Sequence, residues 1–298
     1  MDAATATFAR HRPRLKGIAY RMLGSVAEAE DVVQDAWLRW HASAGQPPDN
    51  AEAWLVTVTT RLAIDRLRAA QVQREHYVGT WLPEPVVEAA REDGPPTPEE
   101  LVERADSLSV AFLAVLERLA PDARAAFLLR EVFEVDYAEI AATLGRSEAA
   151  CRQLVHRAKA AVQEERPRFA VPRERHLALL HSFAEAAAKG DLHGLKALLA
   201  EDVALIGDGG GKVPSFGRPL VGGQRVAQVY FAVARRHPGA LRVEVAQVNG
   251  APGLLRWVDG VLESVQSFEW ENGRIVRIHS QRNPDKLARV AAARGAAA

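Results

Sequence analysis

The chain has a single cysteine, Cys151, among its 298 residues, so no intramolecular disulfide can form and a disulfide-framed fold is excluded. Long apolar runs are missing as well. No stretch approaches the roughly 20 residues needed to cross a bilayer, and the opening MDAATATFARHRPRLKG holds no apolar signal core. A soluble, cytoplasmic protein with no membrane partner is expected. Net charge is also lacking: 38 Lys and Arg balance 38 Asp and Glu, so any attraction for a polyanion has to be local. The glycine-rich run at 209–211 is followed by Lys212 but by no helix with a Lys-Ser/Thr signature, which excludes a P-loop. What remains is length enough for two or three domains, each with its own core.

Charge is segregated along that length. Residues 146–175 carry eight Lys and Arg against four Glu, a net of +4, whereas residues 84–106 carry eight acids against two Arg, a net of −6. An acidic segment can therefore dock on a basic one. The basic stretch overlaps the most structured reading in the chain, EVFEVDYAEIAATLGRSEAACRQLVHRAKAAV at 131–162. Asp136 and Glu139 have the spacing of a capping box, Gly145 suits a left-handed stop, and Ser147 can cap a second helix. On that second helix Ala150, Cys151, Leu154, Val155, Ala158, Ala161 and Val162 fall on one arc. Glu148, Arg152, Gln153, His156, Arg157 and Lys159 fall on the other. A helix with a dry side and a side rich in guanidinium, amide and imidazole suits a DNA major groove. The same pattern also describes a surface helical hairpin with a solvated face, and these residues alone leave both readings open. Cys151 lies on the dry arc, where a thiol acts as a small hydrophobe.

Taken in order, residues 8–74 are predicted helical. Ser25 and Glu28 form a capping box for a helix whose stripe is Val32, Val33, Ala36, Trp37 and Trp40, leaving Asp31, Gln34 and Asp35 on an acidic face. After the loop GQPPDN, a helix buries Trp54, Leu55, Val58, Leu62, Ile64 and Leu67 and carries Arg61, Arg66, Arg68 and Arg74 toward its end. Either the helix macrodipole or contact with phosphates accounts for those arginines. Residues 77–98 are dense in proline and acid and read as an extended tether, with WLPEP (Trp81, Leu82, Pro83, Glu84, Pro85) too apolar to hang free and expected to dock on a neighbouring domain. A helix from about 99 to 119 and another from 121 complete a four-helix unit with the hairpin. From 173 onward two helices, a strand, a helix and four strand-like runs, with Asn272-Gly273 as a hairpin turn, predict helices on one face of a curved antiparallel sheet.

In combination these pieces resemble a known family. AYRMLGSVAEAEDVVQDAWLRW followed by AWLVTVTTRLAIDRLR is similar to region 2 of bacterial RNA polymerase sigma factors of the extracytoplasmic-function type, and LLREVFEVDYAEIAATLGRSEAACRQLVHRAKAAV to their region 4. The last part looks like a SnoaL-like cone of the nuclear-transport-factor superfamily. There WLPEP, DGGGK at Asp208, Gly209, Gly210, Gly211 and Lys212, and NPDKL at Asn283, Pro284, Asp285, Lys286 and Leu287 match the markers of the subgroup with this extension.

The resemblance implies a multidomain fold of two all-α sigma domains, the second with a helix-turn-helix, and an α+β cone. Its domains are residues 1–75, a linker 76–98, residues 99–168, residues 173–290 and a flexible tail 291–298. It implies core RNA polymerase as partner for Asp31, Gln34, Asp35 and Leu38. It implies promoter DNA for Arg61, Asp65, Arg66 and Arg68 at the minus-ten element, with loop 41–50 holding an unstacked base, and for Arg146, Ser147, Arg152, Gln153, His156, Arg157 and Lys159 at the minus-thirty-five element. Arg61 stands where many members have Asn, so a phosphate contact is expected to replace a polar one. WLPEP, DGGGK and NPDKL are expected to form a regulatory contact. Such cones include cyclases and isomerases, and Asp208, Asp259, His279, Tyr230 and Trp257 are the residues that could act so here. Asp208 opens a glycine loop and Asp259 precedes Gly260 in a turn, so no catalytic residue, metal or cofactor is assigned and the chain is expected not to be an enzyme. The alternative is a cone that binds a small molecule or acts as a cyclase or isomerase.

Overall fold

The computed structural model describes residues 3–43, 48–74, 77–87, 109–164 and 173–295. It divides into two compact units: Met1–His76 with Leu113–Glu165, and Tyr77–Phe112 with Arg166–Ala298.

The first unit is helical. α1 (Ala3–Leu23) packs against α2 (Val26–Ala42) and α3 (Ala51–Arg74). The cap predicted at Ser25 forms locally, its Oγ accepting from the Glu28 amide at 3.3 Å; at the start of α3 Asn50 Oδ1 accepts from the Ala53 amide at 3.0 Å. Val26, Ala29, Val32, Val33, Ala36 and Trp40 of α2 recur at three- and four-residue steps and are buried. Trp37 is only half-buried and packs edge-on against Phe8 at 5.0 Å. The chain continues through α4 (Val110–Leu116), α5 (Pro121–Glu131), α6 (Tyr137–Leu144) and α7 (Glu148–Glu164). The start of the helix predicted at 99 lies outside the described residues.

The sequence pictures regions 2 and 4 as separate modules on a tether. In the structure α5 packs on α1 and α3, and α6 packs on α3. Arg124 of α5 is 2% exposed and donates to the Met22 carbonyl at 2.5 Å and to Glu117 at 2.7 Å. Arg14 donates to the Phe133 carbonyl at 2.8 Å, and Arg21 lies over the Phe133 ring at 5.3 Å, where burial lowers its pKa to about 10. A buried arginine and a ring covered by guanidinium groups are features of an interior, so the two helical modules share one.

The second unit is a sheet with both faces covered. Its elements are α8 (Arg173–Lys189), α9 (Leu192–Leu198), β1 (Leu199–Asp208), β2 (Leu220–Val221), α10 (Gly223–Arg236), β3 (Leu241–Val248), β4 (Ala251–Val258), β5 (Val261–Glu271), β6 (Arg274–Gln281) and α11 (Pro284–Gly295). Strand order is β2-β1-β6-β5-β4-β3. Three two-residue turns join the last four strands, at Asn249-Gly250, Asp259-Gly260 and Asn272-Gly273. Both residues of each turn have positive φ, from 50° to 78°, the geometry whose twist matches a hairpin.

Three expectations are corrected here. The sheet is mixed rather than antiparallel, because β1 pairs with β6 in parallel. It stays open among the described strands, with β2 and β3 at its two ends, so no closed cone is present. The flexible tail predicted at 291–298 is helical as far as Gly295: Leu287 and Val290 of α11 join a core of Val248, Leu255, Trp257, Leu262 and Val265, with Ala291 against it. The other face carries a larger core from α8, α9 and α10, centred on Phe183, Tyr230, Phe268 and Ile278. Among the described residues no helix is long and apolar enough to cross a membrane.

Candidate functional site

The helix-turn-helix forms with one departure. Gly145 ends α6 in the left-handed region at φ 63°, and Ser147 Oγ accepts from the Ala150 amide at 3.2 Å to start α7. Asp136, expected to cap α6, makes no such bond, and its carboxylate lies 3.6 Å from Arg130 instead. At that distance the contact is a loose ion pair and no hydrogen bond, and the carboxylate stays largely in water. Cys151, Val155, Ala158 and Val162 are buried, and burial pushes the Cys151 thiol up. Ala161 is exposed, since it lies four residues from exposed Arg157 and shares its strip of the helix. Glu148, Arg152, Gln153, His156, Arg157 and Lys159 are all exposed, and four of them, Arg152, Gln153, His156 and Arg157, line a shallow depression. Lys159 is held by Glu131 at 2.7 Å. Arg152 bonds Glu148 at 2.9 Å and lies over the Tyr137 ring at 4.7 Å.

On α2 the residues Asp31, Gln34 and Leu38 are exposed and Asp35 is half-buried; Leu38, at 58%, is a large hydrophobe left on a polar face. Arg66 of α3 does not point away from this face. It bonds Asp31 at 3.2 Å and Asp35 at 2.9 Å; burial works against its charge, but the two carboxylates outweigh burial and raise its pKa. Arg61 and Arg68 of α3 meet the second helical module. Arg61 donates to the carbonyls of Thr143 and Ala142, each at 2.8 Å, at the C-terminal end of α6, and Thr57 bonds Thr143 at 2.9 Å. Asp122 of α5 accepts from Arg68 at 2.9 Å and from Arg146 at 2.5 Å. Asp65 stays exposed, 3.7 Å from Arg68. A cleft of about 280 Å³ runs beside these groups, lined by Ile64 and Leu144 among others. Loop 41–50 falls partly outside the described residues.

In the second unit the three motif strings meet on one carboxylate. Asp208, at the end of β1, is fully buried and accepts from Tyr77 Oη at 2.6 Å, Lys286 Nζ at 2.8 Å, the Leu82 amide at 2.9 Å, the Gly210 amide at 3.0 Å and Gln281 Nε2 at 3.1 Å. Lys286 also donates to the Leu82 carbonyl at 2.6 Å and sits over the rings of Trp81, at 4.3 Å, and Tyr77, at 5.1 Å. Burial, then the bond to Asp208, pushes the Tyr77 hydroxyl well above its ordinary range. Gln281 binds the Pro83 carbonyl at 3.2 Å, Glu84 is buried with Arg289 3.9 Å away, and Pro85 is buried with it.

The glycines are needed for close approach. A Cβ on Gly209 would overlap the Val213 carbonyl and one on Gly210 the Asn283 amide; Gly210 and Gly211 also have φ of 60° and 71°. Lys212 bridges to Asp285 at 2.5 Å, Asn283 donates to Tyr77 Oη at 3.1 Å, Pro284 opens α11, and Leu287 is buried. The linker then crosses to the β3–β4 turn, where Val86 and Asn249 exchange bonds of 2.8 and 3.0 Å. Sequence reasoning missed Tyr77, Gln281, Asn249 and Asp122, whose importance comes only from partners distant in the chain.

The residues weighed for chemistry scatter. Asp259 is in an exposed turn, 3.9 Å from His237. His279 is buried and bonded to Glu269 at 2.7 Å, and Trp257 belongs to the α11-side core. Tyr230 reaches a second polar interior, apart from that of Asp208: its hydroxyl donates to Gln266 at 3.0 Å, and the Gln266 amide reaches Ser264 at 3.2 Å and Ser280 at 3.4 Å. Arg256 lies 5.6 Å from the Tyr230 ring and pairs with Glu263. Burial pushes the Tyr230 hydroxyl up. For Glu263 burial is outweighed by Arg256 and Arg282, and for Glu269 by His279 and Arg277, so both carboxyls fall below their ordinary range.

Residues 7–72 match the family model for Sigma-70 region 2, and residues 109–162 that for Sigma-70 region 4. The chain is 39% identical over 290 residues to the ECF RNA polymerase sigma factor SigJ of Mycobacterium tuberculosis, covering 93% of this chain and 90% of that one. The crystal structure of that organism's SigJ superimposes with a TM-score of 0.76 at 37% identity, covering 95% of this chain and 98% of that one. The C-terminal part alone is weakly similar in fold to a candidate ketosteroid isomerase from Kribbella flavida, at 18% identity, 37% of this chain, 78% of that one and TM-score 0.27. It is as weakly similar to an M. tuberculosis LEH-like epoxide hydrolase, at 15% identity, 40% of this chain, 87% of that one and TM-score 0.27. The expectation that the chain is not an enzyme is corrected on this finding: two fold relatives of the domain carry enzyme names, so the flat exclusion does not stand.

Proposed function

Because the chain belongs to the extracytoplasmic-function family of RNA polymerase sigma factors, we propose that it directs initiation at its own promoters through three surfaces and that its C-terminal domain regulates it. The exposed face of α2, with Asp31, Gln34, Asp35 and Leu38, grips core polymerase. Arg61, Asp65, Arg66 and Arg68 of α3 meet the minus-ten element, and Arg146, Ser147, Arg152, Gln153, His156, Arg157 and Lys159 meet the minus-thirty-five element. Arginines and lysines at phosphates position the protein, and base-edge contacts select the sequence.

The observation that carries the regulatory part is that Arg61, Arg66, Arg68 and Arg146 are all occupied internally. Two elements about 25 base pairs apart lie roughly 85 Å from each other along B-DNA. A compact body of about 130 residues has a radius of gyration of roughly 14 Å. The first unit in this packed form therefore cannot reach both elements, and opening it is the step to be controlled. The linker that joins its two halves is pinned by Tyr77, Trp81 and Leu82 to Asp208 and Lys286. We read the domain that pins it as a SnoaL-like variety of its superfamily, acting on the linker at an effective concentration of millimolar order. Transcription in vitro from a cognate promoter, by the full chain and by a chain stopped near 168, tests this. A change in activity or polymerase affinity on truncation is expected, and equality of both removes the regulatory reading.

A second reading is favoured by the polar set inside the sheet. Tyr230, Gln266, Ser264 and Ser280 form a buried hydrogen-bonded group among aromatic side chains, the lining expected of a small-molecule or cyclase- or isomerase-type site. Metabolite-library crystallography with the intact protein tests it. An occupied interior whose ligand is lost on Gln266→Leu supports it, and an empty interior across the library counts against it.

A further inference from the structure

Among the exposed cations of α7, Arg152 is the one whose direction is fixed by neighbours on the helix-turn-helix itself. Its Cζ lies 4.7 Å from the centre of the Tyr137 ring, and its Nη2 donates to Glu148 Oε2 at 2.9 Å, one helical turn earlier. Tyr137 is the first residue of α6, half-buried, and its ring also carries Arg130 at 4.9 Å. The Arg152 side chain nevertheless remains 55% exposed. Among the described residues Gln153, His156 and Arg157 have no comparable support, while Arg146 and Lys159 are tied to Asp122 and Glu131.

We propose that Tyr137 and Glu148 are positioning residues that hold the Arg152 guanidinium for a bidentate contact with one guanine in the major groove. The inference rests on the sigma-factor reading above and deepens it. Guanidinium presents five N–H groups in a planar fork, and a single bond to Glu148 leaves a pair of them for the O6 and N7 acceptors that guanine alone displays side by side. The ring under Cζ and the carboxylate at Nη2 together limit how far the fork can turn. A long arginine that meets a base without such support loses side-chain freedom on binding, and here part of that loss is taken on folding. Arg152 also sits in the N-terminal half of the second helix, the part of such a motif that reaches base edges.

The experiment is selection from a promoter library randomised across the upstream element, using the full chain with core polymerase, and read as base preference at each position. The wild type is expected to favour guanine at one position by roughly tenfold or more, a preference that Arg152→Lys abolishes because ammonium lacks the fork. Tyr137→Ala and Glu148→Gln are expected to lower that one preference by about three- to tenfold and leave the other positions unchanged. Tyr137→Phe, which keeps the ring face, should restore it. Glu148 is exposed, so its variant tests the idea even where Tyr137→Ala weakens folding. If Tyr137→Ala and Glu148→Gln leave the profile as in the wild type, or depress every position alike, the positioning role is overturned. If neither the full chain nor a chain stopped near 168 selects any promoter, the sigma-factor reading is removed as well.

Discussion

The Nη2 atom of Arg66 lies 2.9 Å from Oδ2 of Asp35, so a group assigned to promoter DNA neutralises a group assigned to polymerase. Both side chains are half-buried but still reach water, and surface pairs of this kind contribute about 0–1 kcal/mol, so the bond is easily exchanged. Arg66→Ala leaves Asp31 and Asp35 fully available to a basic partner. The expected result is core-polymerase affinity unchanged or up to about threefold tighter, stability changed by less than about 1 kcal/mol, and weaker promoter opening. Fluorescence anisotropy with labelled core and an unstacking probe in the minus-ten element separate the two effects. Loss of polymerase affinity would show that Arg66 belongs to the polymerase surface instead.

Asp122 joins Arg68 to Arg146, and through them two helical modules. Its carboxylate occupies both guanidinium groups where a phosphate could stand in its place. Asp122→Asn should release both, at a modest cost in stability of roughly 0.3–1 kcal/mol, because an acid is lost from the first turn of α5. Binding to duplex DNA is expected to tighten by about three- to tenfold at low salt, with a steeper salt dependence as two more cations become available. Dyes on α2 and α7 should move apart in the same variant. Unchanged transfer efficiency together with unchanged DNA affinity would rule out Asp122 as a latch.

How much of this could be read from the chain depends on the range of each interaction. Ser25, Gly145 and Ser147 act within a few residues, so the helix boundaries they set were legible. The two-residue turn at Asn272-Gly273 was legible for the same reason. Asp136 shows where local reasoning fails: the capping pattern is intact, but the carboxylate makes no cap bond and turns to water, 3.6 Å from Arg130. The parallel pairing of β1 with β6 leaves no local trace, because the two strands are separated in the chain by α10 and four other strands. The arginines of α3 are the sharpest case. A guanidinium row looks alike in sequence whether it awaits phosphate or, as with Arg61, already holds carbonyls 82 and 81 positions away. WLPEP was legible as a docking segment, but the carboxylate that receives it, 126 positions from Leu82, was not.

Asp208 and Lys286 are both shielded from water, and removing one charge leaves the other buried without its partner. Asp208→Asn is expected to cost about 3–5 kcal/mol, whereas Lys286→Met should cost less because four other donors still serve the carboxylate. Both variants should release the linker, seen as faster hydrogen exchange at the Leu82 amide. Gly210→Ala should do the same through overlap with Asn283 and strain at φ 60°. A double-mutant cycle on Asp208 and Lys286 showing no coupling would contradict this account of the contact.

Glu269 carries the pH dependence that is simplest to isolate. Burial alone would raise its pKa, but the bond to His279 and the charge of Arg277 bring it below the ordinary value of 4.5. A carboxyl depressed in the folded state binds fewer protons than its unfolded counterpart as pH falls through that range. Its contribution is therefore complete above about pH 4.5 and is lost progressively as pH falls through the lower folded value. Glu263, held by Arg256 and Arg282, acts in the same direction. Thermal unfolding of the wild type should show a falling midpoint below about pH 4.5. Glu269→Gln should lower the midpoint at pH 7 and flatten the acid limb, so that the two curves converge in acid. Curves that stay parallel across the whole range would mean that the carboxyl is not ionised against His279 and Arg277, and that the bonds at 2.7 and 2.9 Å carry no charge-dependent stability.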